Sequence, residues 1–202
     1  MKRHERRLLT RATLVEAAEE VFLREGFERA SVEQITAAAG FTRGAFYSNF
    51  RDKDEVAIAV IDSRCRDAAN ALKIWDQVQD PAEQWDQFRT WFKDRQWQTN
   101  WIALRAELSR RALWNPALRE RLSELCRQEM RVTAASLVRW KPSCIDRSPE
   151  VTALALIAAS QGLGSLCVHA EQDLEVLSDT AAQLVFDCLT GARVCHCEPR
   201  PE

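Results

Sequence analysis

Apolar residues along this chain recur every three or four positions, in runs of helix length separated by scattered breakers. From Leu9 to Glu25, Leu14, Ala18, Val21 and Phe22 share one 3.6-residue stripe, and Gly26 follows as a left-handed stop with Phe27 packing back. Ser31 is placed to cap a second helix, whose buried face is Val32, Ile35 and Ala39, before Gly40 breaks it. Thr42 caps a third, very short helix with Phe46 and Phe50 facing inward. Asp52 then caps a longer helix to about Lys73, with Val56, Ala59, Val60 and the region of Cys65 on its apolar side.

Asp80-Pro81 starts another helix carrying Trp85, Phe88, Trp91 and Phe92. A stretch from Asn100 to Ala112 presents Trp101, Leu104, Arg105 and Leu108 on one face. Asn115-Pro116 pairs an N-cap with a first-turn proline and opens a helix to about Trp140, and Lys141 to Arg147 is a loop. Ser148-Pro149 begins a helix to about Ala170, and Asp173 begins a last one ending at Gly191. The pattern predicts an all-α protein of about nine helices. It divides into a short-helix segment over 1–53 with a basic N-terminal arm, a larger helical segment over 54–191, and a flexible tail over 192–202.

At 202 residues, 46% hydrophobic, the chain can bury a substantial core. No apolar run is long enough to span a bilayer, and the basic start MKRHERRLLTR lacks the apolar centre of a secretory signal; a cytoplasmic protein with no membrane partner is expected. The seven cysteines, odd in number and mostly inside helical patterns, fit reduced thiols. Cys195-His196-Cys197 is too closely spaced for a common zinc site and lacks a second ligand pair, so neither a metal nor a cofactor is expected. With three histidines and no phosphate loop, nucleophile elbow or His-Glu-x-x-His pattern, no catalytic residues are assigned and an enzyme is not expected.

Net charge is −2, but its distribution is uneven: residues 1–53 hold 10 basic against 8 acidic side chains, the remainder 18 against 22. The basic end coincides with residues 31–56, SVEQITAAAGFTRGAFYSNFRDKDEV, two short helices joined at Gly40. A pair of this size is a common way to place one helix in the DNA major groove. Arg43 can donate a bidentate pair to guanine or reach a phosphate, Gly44 and Ala45 keep the helix surface low, and Ala45 can meet a thymine methyl. Tyr47, Ser48 and Asn49 offer neutral donors to phosphate oxygens, while Ser31 and Lys53 stand at helix N-termini, which favour anions. Arg3, Arg6 and Arg7 form an arm that could track the backbone, enter a minor groove or remain a solvated end.

The segment Leu14 to Val56 resembles the DNA-binding domain of the tetracycline-repressor (TetR) family of bacterial regulators. The resemblance rests on Ala17-Ala18…Phe22…Gly26-Phe27, then Val32…Ile35…Ala39-Gly40-Phe41-Thr42, then Gly44…Phe46-Tyr47…Phe50…Lys53. It implies a bacterial, nucleoid-associated, all-helical homodimer on a palindromic double-stranded operator, with a helix-turn-helix DNA-binding domain over 1–53 and a ligand-binding and dimerisation domain over 54–191. Thr42, Arg43, Gly44 and Ala45 would lie near bases, and Ser31, Tyr47, Asn49 and Lys53 near phosphates. It also implies a repressor released by a small-molecule effector, which the aromatic residues suggest is apolar or aromatic; a DNA-anchored regulator or architectural protein without an effector is the alternative.

The second half offers two surfaces for those roles. Leu154, Ala158, Gly162 and Leu166, with Ala181, Leu184 and Cys188, form apolar faces with small residues at their centres, suited to a four-helix dimer interface or to packing within the chain. Seven tryptophans are many for this length. Trp85, Phe88, Phe92, Trp101, Leu104, Leu108 and Leu125 could line a cavity or fill a core, with Glu129, Arg105 and Gln161 as polar groups to orient a ligand.

Overall fold

The computed structural model describes residues 3–75, 77–80, 83, 87, 99–140 and 148–167. Among these residues the chain is all-α, with seven helices: α1 (Arg3–Glu25), α2 (Val32–Ala39), α3 (Arg43–Tyr47), α4 (Lys53–Trp75), α5 (Thr99–Ala112), α6 (Pro116–Trp140) and α7 (Pro149–Cys167). The helix expected from Asp173 to Gly191, and most of the one after Asp80-Pro81, fall outside the described residues.

Side-chain caps set the helix starts. Ser31 Oγ accepts from the Gln34 amide at 3.2 Å, while the Ser31 amide donates to Gln34 Oε1 at 2.8 Å, a reciprocal capping box. Thr42 Oγ1 accepts from the Ala45 amide, Asp52 Oδ1 from Glu55 and Asn115 Oδ1 from Leu118, at 3.3, 2.8 and 3.1 Å. Gly26 and Gly40 end α1 and α2 with φ of 81° and 69°, a left-handed geometry in which a Cβ is strained. α1 begins at Arg3 rather than near Leu9, because its first turns consist of good helix formers with no apolar stripe to advertise them.

Two compact units result, one of residues 1–71 with 97–129 and one of residues 72–96 with 130–202. In the first, α1 packs on α2 and α5. Leu14, Phe22, Ile35, Phe46, Phe50, Val56, Val60, Leu104 and Leu108 are all essentially buried in one cluster. The start of α4 and the whole of α5 therefore share a core with the three N-terminal helices. Truncating Phe22 or Phe46 to alanine would cost about 3–5 kcal/mol by the usual cavity penalty.

The second unit buries Leu72, Ala134, Ser136, Thr152, Ala153 and Ile157. On α7 the opposite stripe, Val151, Leu154, Ala158 and Gly162, is exposed. No described helix is long and apolar enough to cross a membrane.

Candidate nucleic-acid interface

α3 is five residues long, and its two faces differ sharply. Phe46 is fully buried and stacks at 5.6 Å on Phe50, while Thr42, Arg43, Gly44, Tyr47 and Ser48 are exposed and Ala45 is half-buried. The aromatic anchors hold the helix from beneath, so its outer face stands clear of the molecule.

Arg11 fixes the far end of α3. Its Nη1 donates to the Asn49 carbonyl at 2.8 Å, and its guanidinium lies 4.1 Å from the centre of the Phe50 ring. α1 therefore holds the segment just after α3 by a charge-assisted bond to the Asn49 carbonyl.

The four residues expected near bases lie together. Thr42 spends its oxygen on the cap and keeps its O–H hydrogen as a donor. A Cβ placed on Gly44 would meet nothing closer than Thr42 Oγ1 at 3.7 Å, an ordinary contact. Among the described residues nothing therefore requires a glycine there. Arg43 Nη1 lies 2.9 Å from Glu33 Oε1, and its guanidinium sits 5.9 Å over the Tyr47 ring. A hydrogen bond to Tyr47, followed by the charge of Glu33, holds the Arg43 pKa above its ordinary value.

The residues expected near phosphates divide. Ser31 is half-buried with its hydroxyl hydrogen free to donate beyond the capping box, and Tyr47 is 50% exposed. Asn49 Nδ2 is engaged with the Ala45 carbonyl at 2.8 Å, and its Oδ1 is buried without a partner. The Lys53 ammonium points back into the protein, donating to the carbonyls of Phe27, Ala30 and Glu28 at 2.7, 2.9 and 3.2 Å, over the Phe27 ring at 4.5 Å. Burial lowers its pKa, Glu28 raises it and Arg111 lowers it again. Thr36 is buried, its hydroxyl donating to the Val32 and Glu33 carbonyls. Arg3, Arg6 and Arg7 are exposed on the first turns of α1, as part of a helix.

Arginines on α4 and α5 tie those helices to α1 and the turn that follows it, and sequence reasoning missed their partners. Arg111 on α5 reaches Asp54 at 2.9 Å and Glu28 at 3.3 Å, and lies 5.1 Å from the Phe27 ring, which Lys53 also faces. Arg64 on α4, with its side chain 9% exposed, binds Glu19 on α1 at 2.6 Å and lies 4.3 Å over the Trp101 ring of α5. The partners of Arg64 and Arg111 on the head are 45 to 83 residues away in sequence, where periodicity carries no signal.

Of the residues expected around a ligand, Trp101, Leu104, Leu108 and Leu125 are members of the first unit's core, and Arg105 pairs with Glu129 at 3.4 Å. Trp85, Phe88 and Phe92 lie outside the described residues, as does the side chain of Gln161. A cleft of about 400 Å³ in the first unit is lined by charged residues including Arg11, Arg51, Asp54, Glu55, Asp62 and Arg121. Of the residues expected at a dimer interface, Leu154, Ala158 and Gly162 lie on the exposed face of α7, while the side chain of Leu166, and Ala181, Leu184 and Cys188 entirely, lie outside the described residues. Among the described residues no cluster of three metal-ligating side chains occurs.

Residues 14–60 match the family model of bacterial regulatory proteins of the tetR family. Over 54 residues the chain is 44% identical to the HTH-type transcriptional regulator TtgR of Pseudomonas putida, a match covering 27% of this chain and 26% of that one. Over 52 residues it is 40% identical to the HTH-type transcriptional repressor BepR of Brucella suis, covering 26% and 25%. The chain thus spans about a quarter of the length of the curated relatives it matches. Its fold is similar to that of the fatty acid degradation regulator FadR from Bacillus halodurans, with a TM-score of 0.69 over 91% of this chain and 96% of that one, at 18% identity.

Proposed function

We propose that this chain, whose residues 14–60 match the family model of bacterial regulatory proteins of the tetR family, is a DNA-binding transcriptional repressor acting as a homodimer on a palindromic operator. The observation that carries this reading is the outer face of α3. It is a stubby helix braced from below by Phe46 and Phe50, presenting Thr42, Arg43 and a glycine that internal packing does not need. A glycine on an exposed helix costs about 0.5–1 kcal/mol relative to alanine; close approach of a DNA surface supplies the reason to keep it.

Phosphates are met around that face by Ser31, by Tyr47, by the free N–H of Asn49 and by the N-terminus of α4 rather than by the ammonium of Lys53. The arginines at the start of α1 ride on a helix about 10–12 Å across, too wide for a minor groove of about 6 Å, which favours their tracking the backbone. The exposed stripe Val151, Leu154, Ala158 and Gly162 on α7 supports a second copy of the chain as partner. TtgR and BepR, its relatives in the reading head, are named as a regulator and a repressor, and FadR, its neighbour in fold, as a regulator of fatty acid degradation. An apolar effector acting on the second half fits that company. Weakening operator binding tenfold needs about 1.4 kcal/mol of coupling.

Fluorescence anisotropy with DNA flanking the chain's own gene tests the proposal. Salt-sensitive, sequence-specific binding is expected, and Arg43→Ala should cost about 1–3 kcal/mol and relax preference at one base pair per half-site. Binding equal to that of scrambled DNA would refute it.

A further inference from the structure

Glu33 is an acid set directly against the reading helix, and its placement is at odds with simple attraction to DNA. It lies in the first turn of α2, whose N-terminus is the expected phosphate site at Ser31, and its carboxylate is 2.9 Å from the guanidinium of Arg43. Both side chains are more than half exposed, so the pair adds little to folding stability. Its effect falls instead on what Arg43 can attract.

We infer that Glu33 is a positioning residue that sets specificity: it withholds Arg43 from phosphates and leaves it available to a base edge. The inference rests on the DNA-binding reading above. A guanidinium carries five N–H donors in a planar fork. Its Nη1 is ion-paired with Glu33 and a hydrogen bond ties the guanidinium to Tyr47, which leaves enough of the fork to make a bidentate pair with the O6 and N7 of guanine. A guanine edge has no net charge, so a neutralised arginine loses little there. A phosphate is an anion, and an arginine already paired with a carboxylate releases no counterion on meeting it. Attraction to random DNA is thereby reduced, while the hydrogen bonds that distinguish one base pair from another are kept. Tyr47, whose ring lies 5.9 Å from the guanidinium, limits its swing.

The test compares wild type, Glu33→Gln, Glu33→Asp, Arg43→Ala and the double variant Glu33→Gln/Arg43→Ala. Two labelled duplexes serve as probes: one recovered by wild type from a randomised pool, and one of the same composition with its sequence scrambled. Kd is measured across a salt series. For Glu33→Gln, one restored counterion per protomer steepens the salt slope on scrambled DNA by about 0.9 and tightens binding up to about eightfold at 0.1 M salt. The selected duplex gains less, so the ratio of selected to scrambled affinity falls several-fold. Glu33→Asp, which can still reach a neighbouring guanidinium, retains the wild-type ratio. In the Arg43→Ala background, Glu33→Gln changes neither ratio nor slope.

An unchanged ratio and slope in Glu33→Gln overturns the inference. So does a shift that persists in full without Arg43, which makes Glu33 a diffuse charge. A wild-type protein that recovers no duplex at all refutes the DNA-binding reading itself, and is distinguishable because no ratio can then be measured.

Discussion

Replacing Lys53 with methionine separates a phosphate contact from an internal tie. The sequence places this lysine where a helix N-terminus faces phosphate, whereas the structure gives its ammonium three carbonyl partners at 2.7, 2.9 and 3.2 Å in the turn between α1 and α2. Methionine keeps the aliphatic stem against Phe27 and removes only the charge and its donors. A hydrogen bond to a charged group is worth about 1.5–3 kcal/mol net. The three share one half-buried ammonium, so their contributions do not add, and the freed carbonyls are partly rehydrated. Relief of the repulsion from Arg111 offsets a little more. A loss of about 2 kcal/mol is the outcome, which lowers the Tm of a chain of this size by about 4–8 °C. Thermal denaturation followed by circular dichroism reads that loss. Anisotropy well below the Tm should then show a salt slope equal to that of wild type, because no phosphate partner has been lost. A slope reduced by about one per protomer with an unchanged Tm refutes the reasoning and returns Lys53 to the phosphate backbone.

Gly44→Ala should raise the Tm slightly, since alanine favours the helix by about 0.5–1 kcal/mol and its Cβ meets only ordinary contacts, while DNA affinity falls at least about tenfold; unchanged affinity would show that α3 is not closely approached. Burial pushes the Cys65 thiol up to about 12, ahead of the charge of Glu129, so above about pH 9 the folded chain holds a proton that the unfolded chain releases. Stability should therefore fall as pH rises from about 9 toward 12, by at most about 1.4 kcal/mol per pH unit, and the difference between wild type and Cys65→Ala in chemical denaturation should carry that slope. Glu19→Ala removes the carboxylate that accepts from Arg64 Nε at 2.6 Å beside Trp101 and should cost about 2–3 kcal/mol in urea titration; a cost below about 0.5 would mean that the tie is replaced by solvent.

Local chemistry made much of the first unit legible from sequence. Ser31, Thr42, Asp52 and Asn115 cap helices through bonds spanning three residues, and Gly26 and Gly40 take the left-handed conformation in which other residues are strained, so each announces itself in a short window. Phe46 and Phe50 were readable as inward-facing for the same reason, being one helical turn apart. The start of α1 was not, because the turns before Leu9 carry Arg, His and Glu and have no buried stripe to set a period. Nor were the partners of Arg11, Lys53, Arg64 and Arg111. A long cationic side chain can swing toward several elements, and which one it reaches depends on how α1, α4 and α5 pack. Lys53 shows this most clearly: its position suggested a phosphate, while its stem was long enough to turn back 26 residues to the Phe27 carbonyl.

Recovery of duplexes from a randomised pool, followed by the mass of the protein–DNA complex in solution, tests the central claim most directly. The expected product is an inverted repeat whose half-sites lie about 34–36 Å apart, or a multiple of that, occupied by an even number of chains. A pool that shows no enrichment after repeated rounds, or an enriched site holding a single chain on one unrepeated element, would contradict a symmetric pair of reading helices.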